Sequence, residues 1–142
     1  MTLTALPNVA WPNVIPFPLV NDFADTGMLI DAADEAAAFI VQVPVTGTLT
    51  GFIAKLGTVT TGATIQCRLE TVSTADGKPT GTLYNANATG SLVVLATDDN
   101  KVVSFSFGSS FTVTAGDIVA FIVKQPNTSF GNMYVVGWGY AG

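Results

Sequence analysis

The residues that ordinarily do chemistry are few in this sequence and poorly spaced for it. There is no histidine, and Cys67 is the only cysteine. A nucleophile paired with an imidazole cannot be assembled, nor can a thiolate cluster for a metal. Cys67 falls in the middle of an alternating segment, where a small apolar core residue is expected. Asp98 and Asp99 are the closest approach to a carboxylate pair. Glycoside hydrolysis needs two such groups about 5–10 Å apart on either side of a bond, whereas these are adjacent and followed by Asn100, a context that closes a turn. A calcium site there would need more converging oxygens than two neighbouring side chains supply. Arg68 and Glu70 share a strand face by parity and are expected to form an exposed ion pair of little energetic weight. Gly137-Trp-Gly-Tyr-Ala-Gly142 lacks the lysine and following helix of a phosphate cradle. The sequence therefore assigns no catalytic, cofactor-binding or metal-ligating residue.

What remains is apolar and aromatic. Tyr134, Trp138 and Tyr140, with Trp11 and Tyr84, could form a platform on which a sugar ring stacks; core packing or subunit contact is the favoured reading. A second group lies near the N-terminus, where Leu3, Leu6, Trp11, Val14, Ile15, Phe17, Leu19 and Phe23 are interrupted by Pro7, Pro12, Pro16 and Pro18. Proline fixes φ and removes a backbone donor, so residues 1–21 are expected to be extended and irregular. The segment is too hydrophobic for a solvated linker, and it is expected to lie along the domain or across a neighbouring subunit.

The elements that would position these groups are strands. Asp31-Ala-Ala-Asp-Glu35 resembles a helix start and allows a short helical turn. From about Glu35, however, Ala37, Phe39, Val41 and Val43 alternate with period two up to Pro44. The same alternation recurs in Leu49 with Phe52, Ala54 and Leu56, in Ile65, Cys67 and Leu69, and in Val103, Phe105 and Phe107. Asp117–Lys124 is apolar on both parities, as in a central strand covered on both faces, one of them by another subunit. Turn chemistry punctuates the chain at 45–47, 57–62, 75–81, 98–100 and 115–117. About eight strands so spaced predict an all-β fold, an antiparallel β-sandwich of jelly-roll type over residues 35–142. Residues 1–34 are then an N-terminal arm with a short acidic turn or helix.

Composition limits the partners. A chain of 142 residues fits one domain, burying about two-thirds of its unfolded surface. Only 11% of its residues are charged while 49% are hydrophobic, against about 25% and 45–50% ordinarily. Too few charges are available to break up apolar surface, which predicts burial against other subunits. Apolar runs such as Ile118–Val123 fall far short of the roughly 20 residues that span a membrane. The formal charge is −5 and the five basic residues are isolated from one another, so neither membrane nor nucleic acid is an expected partner. The start of the chain has neither the basic residues nor the continuous apolar run of a secretory signal.

Gly57-Thr-Val-Thr-Thr-Gly-Ala-Thr-Ile-Gln-Cys-Arg-Leu-Glu-Thr-Val72, Gly77-Lys-Pro-Thr-Gly-Thr-Leu-Tyr84 and Val113-Thr-Ala-Gly-Asp-Ile-Val-Ala120 carry a resemblance. Over roughly Ala37 to Lys124 the chain resembles the jelly-roll modules of tailed-phage virion proteins, including capsid-decorating, head-fibre and tail-fibre proteins. The resemblance implies a non-catalytic structural protein that decorates or cements the capsid, or forms a fibre base. It also implies a homo-oligomer, with a trimer expected, other virion proteins such as the major capsid protein as partners, and synthesis in the host cytoplasm before assembly into the virion. The alternative it leaves open is a module that binds host glycan or receptor. Its motifs are structural and carry over no catalytic residue and no cofactor. In such a setting the Asn87-Ala-Thr89 and Asn127-Thr-Ser129 glycosylation patterns are chance occurrences.

Overall fold

The computed structural model describes residues 28–126 and 131–141, with 136–141 as backbone. Among these residues lie nine strands: β1 (Met28–Ile30), β2 (Ala36–Gln42), β3 (Gly47–Thr61), β4 (Ala63–Val72), β5 (Pro79–Leu83), β6 (Thr89–Val94), β7 (Val102–Val113), β8 (Ile118–Lys124) and β9 (Asn132–Ala141). A single 3-10 turn, Ala96–Asp98, separates β6 from β7.

The strands pair as one long hairpin folded upon itself. β1 pairs with β9, β2 with β8, β3 with β7 and β4 with β5, all antiparallel. Winding this hairpin brings β9 against β3 and β8 against β4. The result is two sheets, ordered β1-β9-β3-β7 and β2-β8-β4-β5, with β6 added beside β5 on the edge of β4. With β6 set aside, this is the eight-strand winding of a jelly roll, as the alternating segments predict.

The core is built from the parities read in the sequence. Ala37, Val43, Leu49, Phe52, Ala54, Leu56, Ile65, Cys67, Leu69, Phe105 and Phe107 are all buried in one cluster. The change of parity between Leu49 and Phe52 has a local cause. Between the pairs Leu49↔Phe111 and Gly51↔Ser106, β3 advances two residues and β7 five, so a bulge resets the inward face. Phe52 sits at the centre, with ring centroids 5.0 Å from Phe105 and 5.3 Å from Phe121 of the opposite sheet. Such contacts contribute about 0.5–1.5 kcal/mol each beyond their area burial. The sheets also close on each other along β6 and β7. A Cβ at Gly90 would stand 2.0 Å from the Ser106 carbonyl oxygen, so only glycine permits this approach.

Asp31–Glu35, expected as a short acidic turn or helix, is a turn. Asp34 takes φ 63°, and the Glu35 carboxylate accepts the Asp31 and Ala32 N–H groups at 2.7 and 2.9 Å. Those two donors hold its pKa below the ordinary glutamate value. The sandwich begins before residue 35, because β1 lies within the segment expected to be arm and places Ile30 in the core at 1% exposure. Residues 57–62, expected as a turn, are mostly strand. Successive register shifts against β9 let β3 run on to Thr61, and only Gly62 separates it from β4. As expected, β8 is central, and its residues 119–123 are buried on both parities. Ala120 lies between Ile40 and Glu70, and Ile122 between Ala38 and Arg68, so neighbouring strands cover them laterally.

Candidate interaction surfaces

The polar side chains of the described residues are mostly spent on the fold itself. Asp98 accepts the Leu95 N–H at 2.9 Å and meets Lys101 at 3.4 Å. The Leu95 amide, and secondarily the lysine, lower its pKa. Asp99 reaches across to the Val59 N–H at 2.9 Å, while Asn100 takes φ 57° and its N–H bonds the Gly57 carbonyl. The Asp98-Asp99-Asn100 turn therefore staples the β6–β7 connection onto β3. Among the described residues, no three carboxylate or thiol groups converge as metal ligands would. Cys67 is fully buried, and burial pushes its thiol up to about 11.

Arg68 and Glu70 do pair, at 2.7 Å between Arg68 Nε and Glu70 Oε1, but the pair is not the exposed one expected. Glu70 is only 5% exposed. The contact is close, although Nε lies outside hydrogen-bonding geometry with the carboxylate. Both side chains instead grip one residue of β5. Arg68 Nη2 donates to the Gly81 carbonyl at 2.9 Å, and Gly81 N–H donates to Glu70 Oε2 at 2.8 Å. Gly81 has φ 78°, a conformation glycine adopts without strain. The clamp holds β5 to β4 where their register shifts between Glu70 and Val72. Sequence parity locates the pair, but the partner eleven residues away carries no sequence signal.

Gln125 was equally illegible. It is fully buried, bonds the Ile30 carbonyl at 3.2 Å, and exchanges bonds with the N–H and carbonyl of Gly131. It fixes β1 and the start of β9 to the end of β8. The remaining basic side chains are also engaged: Lys124 with Asp34 at 2.9 Å, Lys78 with Asp76 at 3.9 Å, and Lys55 with the Leu56 and Asn100 carbonyls.

The aromatic residues do not share one environment. Tyr84 packs toward the core against Phe111, and its hydroxyl donates to Asp117 Oδ2 at 2.5 Å. Burial first, and then the bond to Asp117, raise its pKa. Tyr134 is half-buried and lies opposite Leu29, which is 41% exposed. The β9 backbone pairs Trp138 with Ala54 and Tyr140 with Phe52; their side chains lie outside the described residues. So do the arm positions Leu3, Leu6, Trp11, Val14, Ile15, Phe17, Leu19 and Phe23.

The surface carries apolar side chains where charge is scarce. On the outer face of the five-stranded sheet, Ile40 is 41% and Ile118 52% exposed. Val93 and Leu95, also exposed, border a shallow depression beside Gly62 and Thr64. At one end of the sandwich an apolar cleft opens among the ends of β2, β3, β7 and β8. No protein-family model matches the chain, and no curated protein matches it.

Proposed function

We propose that this chain is a non-catalytic structural protein of a tailed-phage virion, decorating or cementing the capsid or forming a fibre base as a homo-oligomer, with a trimer the expected form. The observation that carries this reading is the scarcity of charge on an exterior that also exposes large aliphatic side chains. Each of the five basic groups pairs with a carboxylate or carbonyl of the chain itself, while Ile40, Ile118, Val93, Leu95 and Val102 stand in solvent. Monomeric proteins seldom leave so little charge to separate their apolar patches. The jelly-roll winding supports the same reading, since capsid proteins use it widely. The segments that carry the resemblance form β4, the last third of β3, the β5 clamp and the β7–β8 turn with the start of β8.

In this reading the sandwich is a rigid block and the Pro-rich arm is its fastener. Trp11, Phe17 and the neighbouring aliphatics bury against adjacent protein, each large side chain contributing about 1.5–3 kcal/mol when fully buried. Sedimentation velocity on the full chain tests this. Trp11→Asp with Phe17→Asp is expected to shift the oligomer to smaller species while the far-ultraviolet spectrum stays that of a β-protein. Unchanged sedimentation would remove the arm from the mechanism. The glycan-binding alternative would use Tyr134 and the C-terminal aromatics; saturable sugar binding lost on Trp138→Ala, with oligomer size unchanged, would favour it.

A further inference from the structure

The open end of the sandwich has the character of a receptor for hydrocarbon. Val41, Val43, Leu49, Val113, Val119 and Phe121 line its interior, with Pro44 and Val45 beside them. The cavity holds about 30 Å³, an order of magnitude below the roughly 300–1,000 Å³ of a small-molecule site. Thr48 supplies the only side-chain hydroxyl among the lining residues, so water inside would lack the two to four polar partners it needs. A fitting occupant is the tip of a branched aliphatic side chain carried on a longer segment.

The direction of β1 identifies such a segment. β1 runs antiparallel to β9, with Ile30 opposite Met133 and Met28 opposite Val135. A chain continuing in the direction of β1 beyond Met28 would run along β9 toward Ala141. Ala141 is paired with Gly51, two residues from Leu49 of the cleft. The six residues of β9 from Val136 to Ala141 cover about 20 Å, a length that the six residues before Met28 match when extended. The next residues toward the N-terminus are Asn21, Val20 and Leu19, preceded by Pro18. Residues 14–20 are uncharged and contain two prolines that favour an extended chain.

We propose that the cleft at the β2–β3 and β7–β8 end is the docking site for Pro18-Leu19-Val20 of the same chain, one of the two aliphatic side chains filling it. The arm would then leave the sandwich from a fixed point at that end, with Leu3 to Ile15 beyond it. This goes further than the assembly reading and does not require it, because the contact is intramolecular.

Cysteine pairs in the full chain test the proposal. Val45 is 43% exposed at the rim, and Thr48 is also exposed, so Val45→Cys and Thr48→Cys perturb the core little. Each is combined with Leu19→Cys or Val20→Cys and oxidised mildly; a disulfide forms only where Cα atoms come within about 4–7 Å. Native Cys67 does not compete, being buried with a thiol pushed up to about 11. The expected result is an intrachain disulfide in at least one combination, seen as monomer on a non-reducing gel with an intact mass lacking the thiol hydrogens. Val93→Cys with Leu19→Cys should stay reduced. No cross-link in any combination overturns the proposal. Predominant interchain dimers also overturn it, by placing the arm on a neighbour's cleft. The arm's role in assembly is read separately by Trp11→Asp with Phe17→Asp, so either idea can fail alone.

Discussion

Removing the Glu70 carboxylate tests how the β4–β5 edge is held. In Glu70→Ala, Gly81 N–H loses its acceptor and Arg68 loses its counter-charge, in a place where Glu70 is 5% exposed. A hydrogen bond to a charged group is worth about 1.5–3 kcal/mol, and breaking one side of a fully buried ion pair costs about 3–5 kcal/mol. The Arg68 side chain keeps 23% exposure, so water recovers part of the loss, and about 3 kcal/mol is expected in total. Glu70→Gln keeps an acceptor for Gly81 and should cost about 1 kcal/mol. Replacing both members, Arg68→Met with Glu70→Leu, should cost less than Glu70→Ala alone. The unpaired charge is then gone, and Ala120 and Ile122 offer an apolar neighbourhood on that face. Urea unfolding at neutral pH and one fixed protein concentration measures all of these. A Glu70→Ala variant within about 0.5 kcal/mol of the parent, the range of an ordinary surface substitution, would refute the clamp. So would a double variant weaker than the single one.

Other outcomes follow from the same contacts. Tyr84, whose pKa is raised by burial and by its bond to Asp117, should ionise later in an absorbance titration than an unfolded tyrosine. Its raised folded value contributes stability below the unfolded tyrosine pKa that is lost as pH climbs through the folded one, and Asp117→Asn should shrink that alkaline loss; an unchanged titration would contradict the bond. Cys67, with its thiol near 11, should be about a thousandth ionised at pH 8 and react with an aromatic disulfide reagent only after unfolding. Rapid labelling of the native protein would contradict its burial. Gly90→Ala puts a methyl group 2.0 Å from the Ser106 carbonyl and should lower unfolding free energy by about 1–3 kcal/mol or more. A neutral effect would mean that β6 and β7 do not approach so closely.

The sandwich was legible because its inward residues obey period two over long stretches. Ile65, Cys67 and Leu69 against Gln66 and Arg68 announce β4 directly, and Phe105 and Phe107 announce β7. Legibility fails where pairing is non-local. Residues 57–62 look like a turn because glycines bracket threonines, yet β9 holds them as strand from across the sheet. Thr89–Val94 and Asn132–Ala141 contain glycines in place of strict alternation, so their strand character comes from β4 and β3 rather than from propensity. Glu70 reads as surface because carboxylates usually are, and only the β4–β5 register brings the backbone of Gly81 to it. Gln125 follows an apolar strand as an ordinary polar terminus, although the backbone of Gly131 and Ile30 encloses it. For the surface, composition announces scarcity of charge; Ile40, Ile118 and Val93 show where that scarcity is exposed.

The central claim is that part of this exterior meets other protein. The mass of the full chain in solution, followed by multi-angle light scattering across a wide concentration range, tests it most directly. The account predicts a stable multiple of the 14.7 kDa chain, with three copies expected, that persists on dilution. A particle of one chain's mass at the highest concentration would contradict it.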